Sequence, residues 1–347
     1  MNNIGRWIFN ETMRQINSVS KRGYLAASLM KPGENLRIVK RKDGEAHRGQ
    51  AILKVEAAGV NYADVHMIEG KYHLKPDFPF TPGFEIAGTV LSVGEGVTRV
   101  KKDDRVLVLK PQGTGGFAEQ CVISETDHVV PIPYTLDFET AASLAVCYGS
   151  AYLALQNIQP IKERGSVLIL SCRGSLGLAA IDLAQNVFKH QVFAASDSEE
   201  KLEKLRSTGV YSTINWERQK MAKAVRTETD GKGVDLVIDT VGGKAFHEGF
   251  EAIKVGGHIV SMDFSSEVIP TLNLLDLHRL QASVSGVWFG GRSFSEVDNI
   301  MGVILKFFDE GYLNNRIGKS YCLAEINECL KDMRDGRLFG KAVIRMR

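Results

Sequence analysis

The stretch SVLILSCRGSLGLAA, residues 166–180, passes from an apolar segment through a short polar loop into a run of small and aliphatic residues. Val167 to Leu170 are consecutive aliphatics, the pattern of a strand covered on both faces. Beyond the loop, Leu176, Ala179, Ala180, Leu183, Ala184 and Val187 recur at helical spacing. A strand, a tight loop and a helix in that order place the amide groups of the helix start where they attract a diphosphate, provided side chains leave room for its approach. Gly174 and Gly177 supply two of the gaps, with Ser175 and Leu176 between them. The first position of a GxGxxG loop holds Ser171, which a small hydroxyl residue can occupy with a negative φ. GxxG alone is a weak signal, since glycines also end strands and admit close packing. Its place between an apolar strand and an apolar helix strengthens it.

Working outward, the rhythm after residue 165 is strand and helix in alternation. Strands are expected at 166–170, 191–196, 234–240, 257–262 and 282–288, with helices near 175–187, 199–208, 217–229 and 244–254 and a short further strand before Trp216. Such alternation builds a doubly wound parallel α/β sheet. Upstream, residues 23 to about 135 are β-rich: AILKVEAAGV (51–60), EIAGTVLSVG (85–94), DDRVLVL (103–109) and FAEQCVI (117–123), punctuated by Gly and Pro, suit a partly closed barrel. A helical passage starts near Asp137 and runs through TAASLAVCYGSAYLALQNI. Residues 295–347 return to helix and strand and end in GKAVIRM, a strand that can rejoin the first domain. The expected division is an arm at 1–22, a first domain of 23–146 with 290–347, and a nucleotide-binding domain at 147–289.

Composition narrows the classes. A chain of 347 residues exceeds one comfortable core, and 44% hydrophobic with 24% charged residues describes a globular α/β protein. The net charge of +2 arises from mixed signs along the chain, without the basic stripe that holds nucleic acid. No apolar run reaches the roughly 18 residues of a membrane span. Five scattered cysteines, never spaced CxxC, read as reduced thiols. Residues 1–24 place Ile4, Trp7, Ile8, Met13 and Ile16 at near-helical spacing among four basic residues and one acid. That suits a mitochondrial presequence; a surface-packed arm of a cytoplasmic protein is the alternative.

The second strand of the nucleotide unit ends in Ser196, Asp197 and Ser198, with Lys201 following. Small hydroxyls and a cation there accommodate the 2′-phosphate of NADP(H); an acid would pair with the ribose of NAD(H). Asp197 reads as a helix-capping residue, so NADP(H) is favoured over NAD(H).

With AAGVNYADVHMIEGKY (57–72), FPFTPGFEIAGTVLSVGEGV (78–97), KKDDRVLVL (101–109), GGFAEQ (115–120) and the GSLGLAA loop, the chain resembles the medium-chain dehydrogenase/reductase superfamily in its zinc-free quinone oxidoreductase branch. The resemblance covers roughly residues 23–347. It implies a GroES-like barrel domain, a Rossmann domain, a coenzyme in the cleft between them and commonly a homodimer joined through the last Rossmann strands. At the positions of zinc ligands in relatives stand Asn61, Phe84 and, at or near the third, Val146; phenylalanine cannot bind a metal.

The same resemblance places Asn61, Tyr62 and Tyr72 at the reacting end of the cleft. It places Tyr148 and Ser150 near nicotinamide, Trp216 beside adenine, and Asp239, Thr240 and Val241 near the adenosine ribose. Phe264 and Ser265, and Trp288 and Phe289, close around nicotinamide and acceptor. Arg173 can reach a phosphate or point to solvent. Asp64 reads equally as a structural hydrogen-bond acceptor, and His66 as an acid near neutral pH or as an ordinary surface histidine. The expected activity is hydride transfer from NADPH to quinones or enones without metal. An NADPH-binding scaffold or crystallin-like protein with little turnover is the alternative, kept open by the irregular loop at Ser171.

Overall fold

The computed structural model describes residues 23–111, 113–156, 164–171, 174–314 and 316–346. Two sheets organise the chain. After the hairpin of β1 (Tyr24–Ser28) and β2 (Arg37–Arg41), the first sheet is built from β3 (Gln50–Val60), β4 (Glu85–Val93), β5 (Arg105–Leu109), β6 (Gln120–Ser124) and β7 (His128–Pro131). The second contains β8 (Ser166–Leu170), β9 (Gln191–Ser196), β10 (Ser212–Asn215), β11 (Val234–Asp239), β12 (Ile253–Ser261) and β13 (Ser283–Gly286). The chain then returns: β14 (Ile317–Cys322) and β15 (Lys341–Arg345) join the first sheet, whose order is β14-β15-β3-β4-β5-β7.

Strand β3 is the hinge of that first sheet. It gives one edge to β4 and divides the other, its first half pairing β6 and its last four residues pairing β15. Two register shifts along the β3–β4 ladder bend it, as bulges do, into the partly closed GroES-like barrel. The second sheet has the order β10-β9-β8-β11-β12-β13, and every pairing in it is parallel. This is the Rossmann arrangement, with its chain reversal between β8 and β11. Val167 to Leu170 are fully buried, which is why their sequence is uninterruptedly aliphatic.

Helix Ser175–Asn186 follows β8, and Glu199–Arg206, Met221–Glu228 and Gly243–Ala252 follow the next three strands. Ser198, not Asp197, caps the second of these, its hydroxyl accepting from Lys201 N. The passage after Asp137 is a short helix, Phe138–Ala141, then a π-turn, Ala145–Gly149, and helix Ser150–Gln156. The arm at 1–22 and Arg173 lie outside the described residues.

Candidate functional site

A cleft of about 340 Å³ opens between the two sheets. One wall is the start of helix Ser175–Asn186, where Gly174, Ser175, Leu176 and Gly177 all face the space. The amides there have no side-chain cap, so their N–H groups are available to an anion. A Cβ added at Gly174 would meet nothing within 4 Å, so the groove in front of the amides is open. Ser171 stands at the rim with φ +58°, in the left-handed region that glycine adopts without strain. The expectation of a negative φ is therefore corrected: the turn keeps the geometry of the missing glycine and imposes it on a serine.

From the second sheet come Thr240, Phe264 and Ser265, with Trp288 and Phe289 closing the end. Thr240 donates its hydroxyl to Leu170 O at 3.0 Å, linking the ends of β11 and β8. Phe289 is buried against Gly149, where any Cβ would strike its ring at about 2.5 Å. Trp288 is half exposed and stands perpendicular to the His73 ring with centroids 5.3 Å apart.

The segment between β3 and β4 contributes Asn61, Tyr62, Tyr72 and Phe84, and Ser150 also lines the cleft. Tyr62 lines the cleft, and its hydroxyl donates to Met333 O at 2.8 Å. Tyr72 is different: burial, with the charges of Asp263 and Asp64, pushes its pKa up to about 12. It remains a proton-bearing donor at every physiological pH. Asp64 is wholly buried and accepts from Asn61 N at 2.9 Å and Gly83 N at 3.1 Å. It is the structural acceptor of the two readings. His66 lies beside the Tyr62 ring, with centroids 6.2 Å apart, and does not line the cleft.

Other expected contacts are not brought to the cleft. Tyr148 is buried with its hydroxyl on Asp182 Oδ2 at 2.7 Å, and it lines a separate polar cavity; its expected place by nicotinamide is corrected, because its phenol is held by Asp182 on the far side of the helix start. Lys201 reaches the carbonyls of Gly336 and, at 2.6 Å, Leu338, tying the nucleotide sheet to the approach to β15. Its expected availability to a 2′-phosphate is corrected accordingly. Ser196, Trp216 and Val241 sit at the carboxyl ends of β9, β10 and β11, outside the cleft lining. Ser196 accepts from Ser198 N at 3.2 Å, and Trp216 packs on the core. Val241 N donates to Asp239 at 2.9 Å. That carboxyl, also accepting from Gly242 N, is pushed up to about 6 by burial.

The structure adds groups that the sequence reading passed over. Asp263 lines the cleft beside Phe264, and burial raises its pKa. Glu85 and Lys341 form an ion pair at 2.6 Å under the cleft floor, and Cys147 lines the cleft above them. A signal existed: Glu85 and Lys341 are opposite charges at the first positions of strands whose next two residues are apolar.

The positions that hold zinc in metal-dependent relatives do not fit a metal here. Phe84 offers no ligand atom, and the Lys341 ammonium stands against Asn61 Oδ1 and Cys147 Sγ. Among the described residues no group of three or more His, Cys, Asp or Glu is placed to hold an ion. No helix among them is long and apolar enough to cross a membrane.

Two family models match: the alcohol dehydrogenase GroES-like domain over residues 47–134 and the zinc-binding dehydrogenase over residues 175–304. The quinone oxidoreductase-like protein 2 homolog of Nematostella vectensis is 36% identical over 299 residues, spanning 85% of this chain and 81% of that protein. Quinone oxidoreductase-like protein 2 of Mus musculus is 33% identical over 303 residues, 85% of this chain and 84% of that one. Among solved structures, Escherichia coli quinone oxidoreductase complexed with NADPH superposes with a TM-score of 0.84 at 21% identity, over 93% of this chain and 99% of that one. Two domains in this order, this sheet topology and relatives above 30% identity along most of the chain place it in the quinone oxidoreductase branch of the medium-chain dehydrogenase/reductase superfamily, alongside quinone oxidoreductase-like protein 2.

Proposed function

We propose that this chain is an NADPH-dependent reductase of quinones or other conjugated carbonyl compounds that works without zinc and as a homodimer. The observation that carries the reading is the make-up of the cleft. An uncapped helix start with open space before Gly174 faces a largely apolar pocket containing the polar groups of Asn61 and Tyr72. Gly174, Ser175, Leu176 and Gly177 would hold the diphosphate, Thr240 would stand by the adenosine ribose, and Phe264 and Ser265 would flank the nicotinamide half. The coenzyme supplies a hydride; an acceptor that is already electrophilic needs chiefly placement and an outlet for negative charge on its oxygen. Flat apolar surfaces such as Phe84 and Trp288 suit such acceptors, and their rings exclude water from the pocket. Phe84 where relatives carry a metal-binding histidine supports the zinc-independent reading. Preference for NADPH rests on the small hydroxyl residue Ser198 beyond β9 and on the NADPH bound by the Escherichia coli relative.

The homodimer reading is supported by the outer edge of the Rossmann sheet. There β13 has no strand beyond it among the described residues, and Ile269, Leu274, Leu275 and Val284 are exposed nearby. The basic, acid-poor residues 1–22 support delivery to mitochondria, testable by import of a fluorescent fusion carrying that segment.

Fluorescence titration with NADPH and NADH, then oxidation of the bound coenzyme by 9,10-phenanthrenequinone and by an alkenal, tests the activity. Tighter binding of NADPH and acceptor-dependent loss of its absorbance are expected, with full activity retained after chelation of metals. Binding without oxidation by any acceptor would make the protein a coenzyme-binding scaffold.

A further inference from the structure

Under the cleft floor lies a closed set of polar contacts. Glu85 is 0% and Lys341 1% exposed, so both charges are withdrawn from water. Such a pair is a poor stabiliser, because the cost of desolvating two ions consumes most of their attraction. Its donors and acceptors are used in a specific way. Glu85 Oε1 accepts from Val146 N at 2.9 Å, and Oε2 accepts from Lys341 Nζ at 2.6 Å and Asn61 Nδ2 at 3.1 Å. Lys341 Nζ also donates to Asn61 Oδ1 at 2.6 Å and reaches Cys147 Sγ at 3.6 Å. Three contacts match the three N–H bonds of an ammonium, so Lys341 keeps none for a ligand.

Asn61 is therefore held at both ends of its amide. Turning it over would set its NH₂ against the ammonium and its oxygen against the carboxylate, two repulsive contacts in place of two attractive ones. Burial by itself pushes the Lys341 pKa down, but the Cys147 sulfur and the Glu85 carboxylate outweigh it and the net direction is up, so the charge persists. One Nδ2–H of Asn61 goes to Glu85. The other meets no acceptor among the described residues, and Asn61 lines the cleft. The backbone leaves room for this arrangement: a Cβ on Gly59 would sit about 2.8 Å from Glu85 Oε2 and 2.9 Å from Lys341 Cε.

We propose that Lys341 and Glu85 are positioning residues that lock the Asn61 amide with one N–H toward the cleft, so that Asn61 recognises the carbonyl oxygen of the acceptor and rejects ligands that present a donor there. The ammonium on Oδ1 draws electron density from the amide and strengthens that N–H as a donor. This rests on the reductase reading for the identity of the acceptor, but the amide's orientation can be read without turnover.

The experiment has two arms. In the first, the side-chain ¹⁵N–¹H₂ signals of Asn61, identified by their loss in Asn61→Ala, are followed while cyclohexanone, a saturated carbonyl probe, is titrated into the wild-type holoenzyme. In the second, the double variant Lys341→Met/Glu85→Gln replaces the pair with neutral groups of similar size, and the introduced carboxamide offers an N–H where the carboxylate stood. The Asn61 amide is then free to turn its oxygen toward the cleft.

The wild type should show one Asn61 proton moved by the probe and the other unmoved. The double variant should show no probe response, unchanged NADPH affinity within about threefold, and kcat/KM for a quinone at least about tenfold lower, the scale of one lost oxyanion donor. A folded double variant with wild-type kcat/KM, or a wild type that turns over quinones while neither Asn61 proton responds, overturns the proposal. A probe response in a protein that oxidises NADPH with no acceptor leaves the locked donor standing and removes the reductase reading. Absence of both response and turnover removes both.

Discussion

Ser171 carries a conformational cost. Its φ of +58° is a conformation in which a side chain with a Cβ is strained by about 1 kcal/mol, and its side chain borders the space where a diphosphate would approach. Ser171→Gly should raise stability by roughly that amount, read as a higher urea midpoint, and tighten NADPH binding in fluorescence titration. Looser binding would show that the hydroxyl serves the coenzyme. Asp239 is a second residue whose charge is costly. Burial lifts its carboxyl to about 6, above the ordinary value of about 3.9, so the folded chain keeps a proton that the unfolded chain loses first. Stability from this group is present below pH about 4 and is lost as the pH climbs through 6. The penalty at neutral pH is on the order of 2–3 kcal/mol. Asp239→Asn keeps an oxygen for Val241 N and Gly242 N and removes the titration. Its stability relative to the wild type should therefore rise between pH 4 and 7 in urea melts, and a flat difference would refute the account.

At the scale of elements, β3, β4 and β15 meet where the floor of the cleft is made. Gly59 is the point of closest approach: a Cβ there would lie about 2.1 Å from Ala142 O, backbone that cannot step aside. Gly59→Ala should cost more than about 2 kcal/mol, measured by thermal or urea unfolding, and should disturb the Asn61 amide before it disturbs the Rossmann sheet. A cost below roughly 0.5 kcal/mol, the size of an ordinary surface substitution, would mean that β3 and the segment before the π-turn slide apart freely. In that turn, Ala145–Gly149, the adjacent residues Cys147 and Tyr148 face different ways, the thiol toward the cleft and the phenol toward Asp182. Widened turns of this kind re-aim side chains by a residue, which helical periodicity does not foresee.

Over the whole molecule, the exposed residues near β13 gather on one edge of the second sheet. Val284 is 41% exposed on a strand whose outer hydrogen-bonding edge is unpaired among the described residues, and Leu275 nearby is 69% exposed. Edge strands left in this state pair with another chain unless a charge prevents it. Val284→Lys should convert the proposed dimer to monomer in light scattering coupled to size exclusion, with the far-UV spectrum unchanged. A monomeric wild type would remove the dimer from the reading.

What the amino-acid sequence determined by itself was the order of elements and the nature of each sheet. Uninterrupted aliphatics at 167–170 can only be covered on both faces, and alternation of strand and helix forces a parallel sheet. Gly174 and Gly177 also marked the helix start correctly, Gly174 standing at the N-cap of helix Ser175–Asn186. The directions of the side chains were decided by tertiary structure. Lys201 looked like a free cation until the approach to β15 supplied two carbonyls from 135 and 137 positions away. Glu85 and Lys341 became partners of Asn61 only because β4 and β15 flank the same end of β3. Periodicity records which residues are buried, whereas the partner of a buried charge is set by which strands the fold makes adjacent.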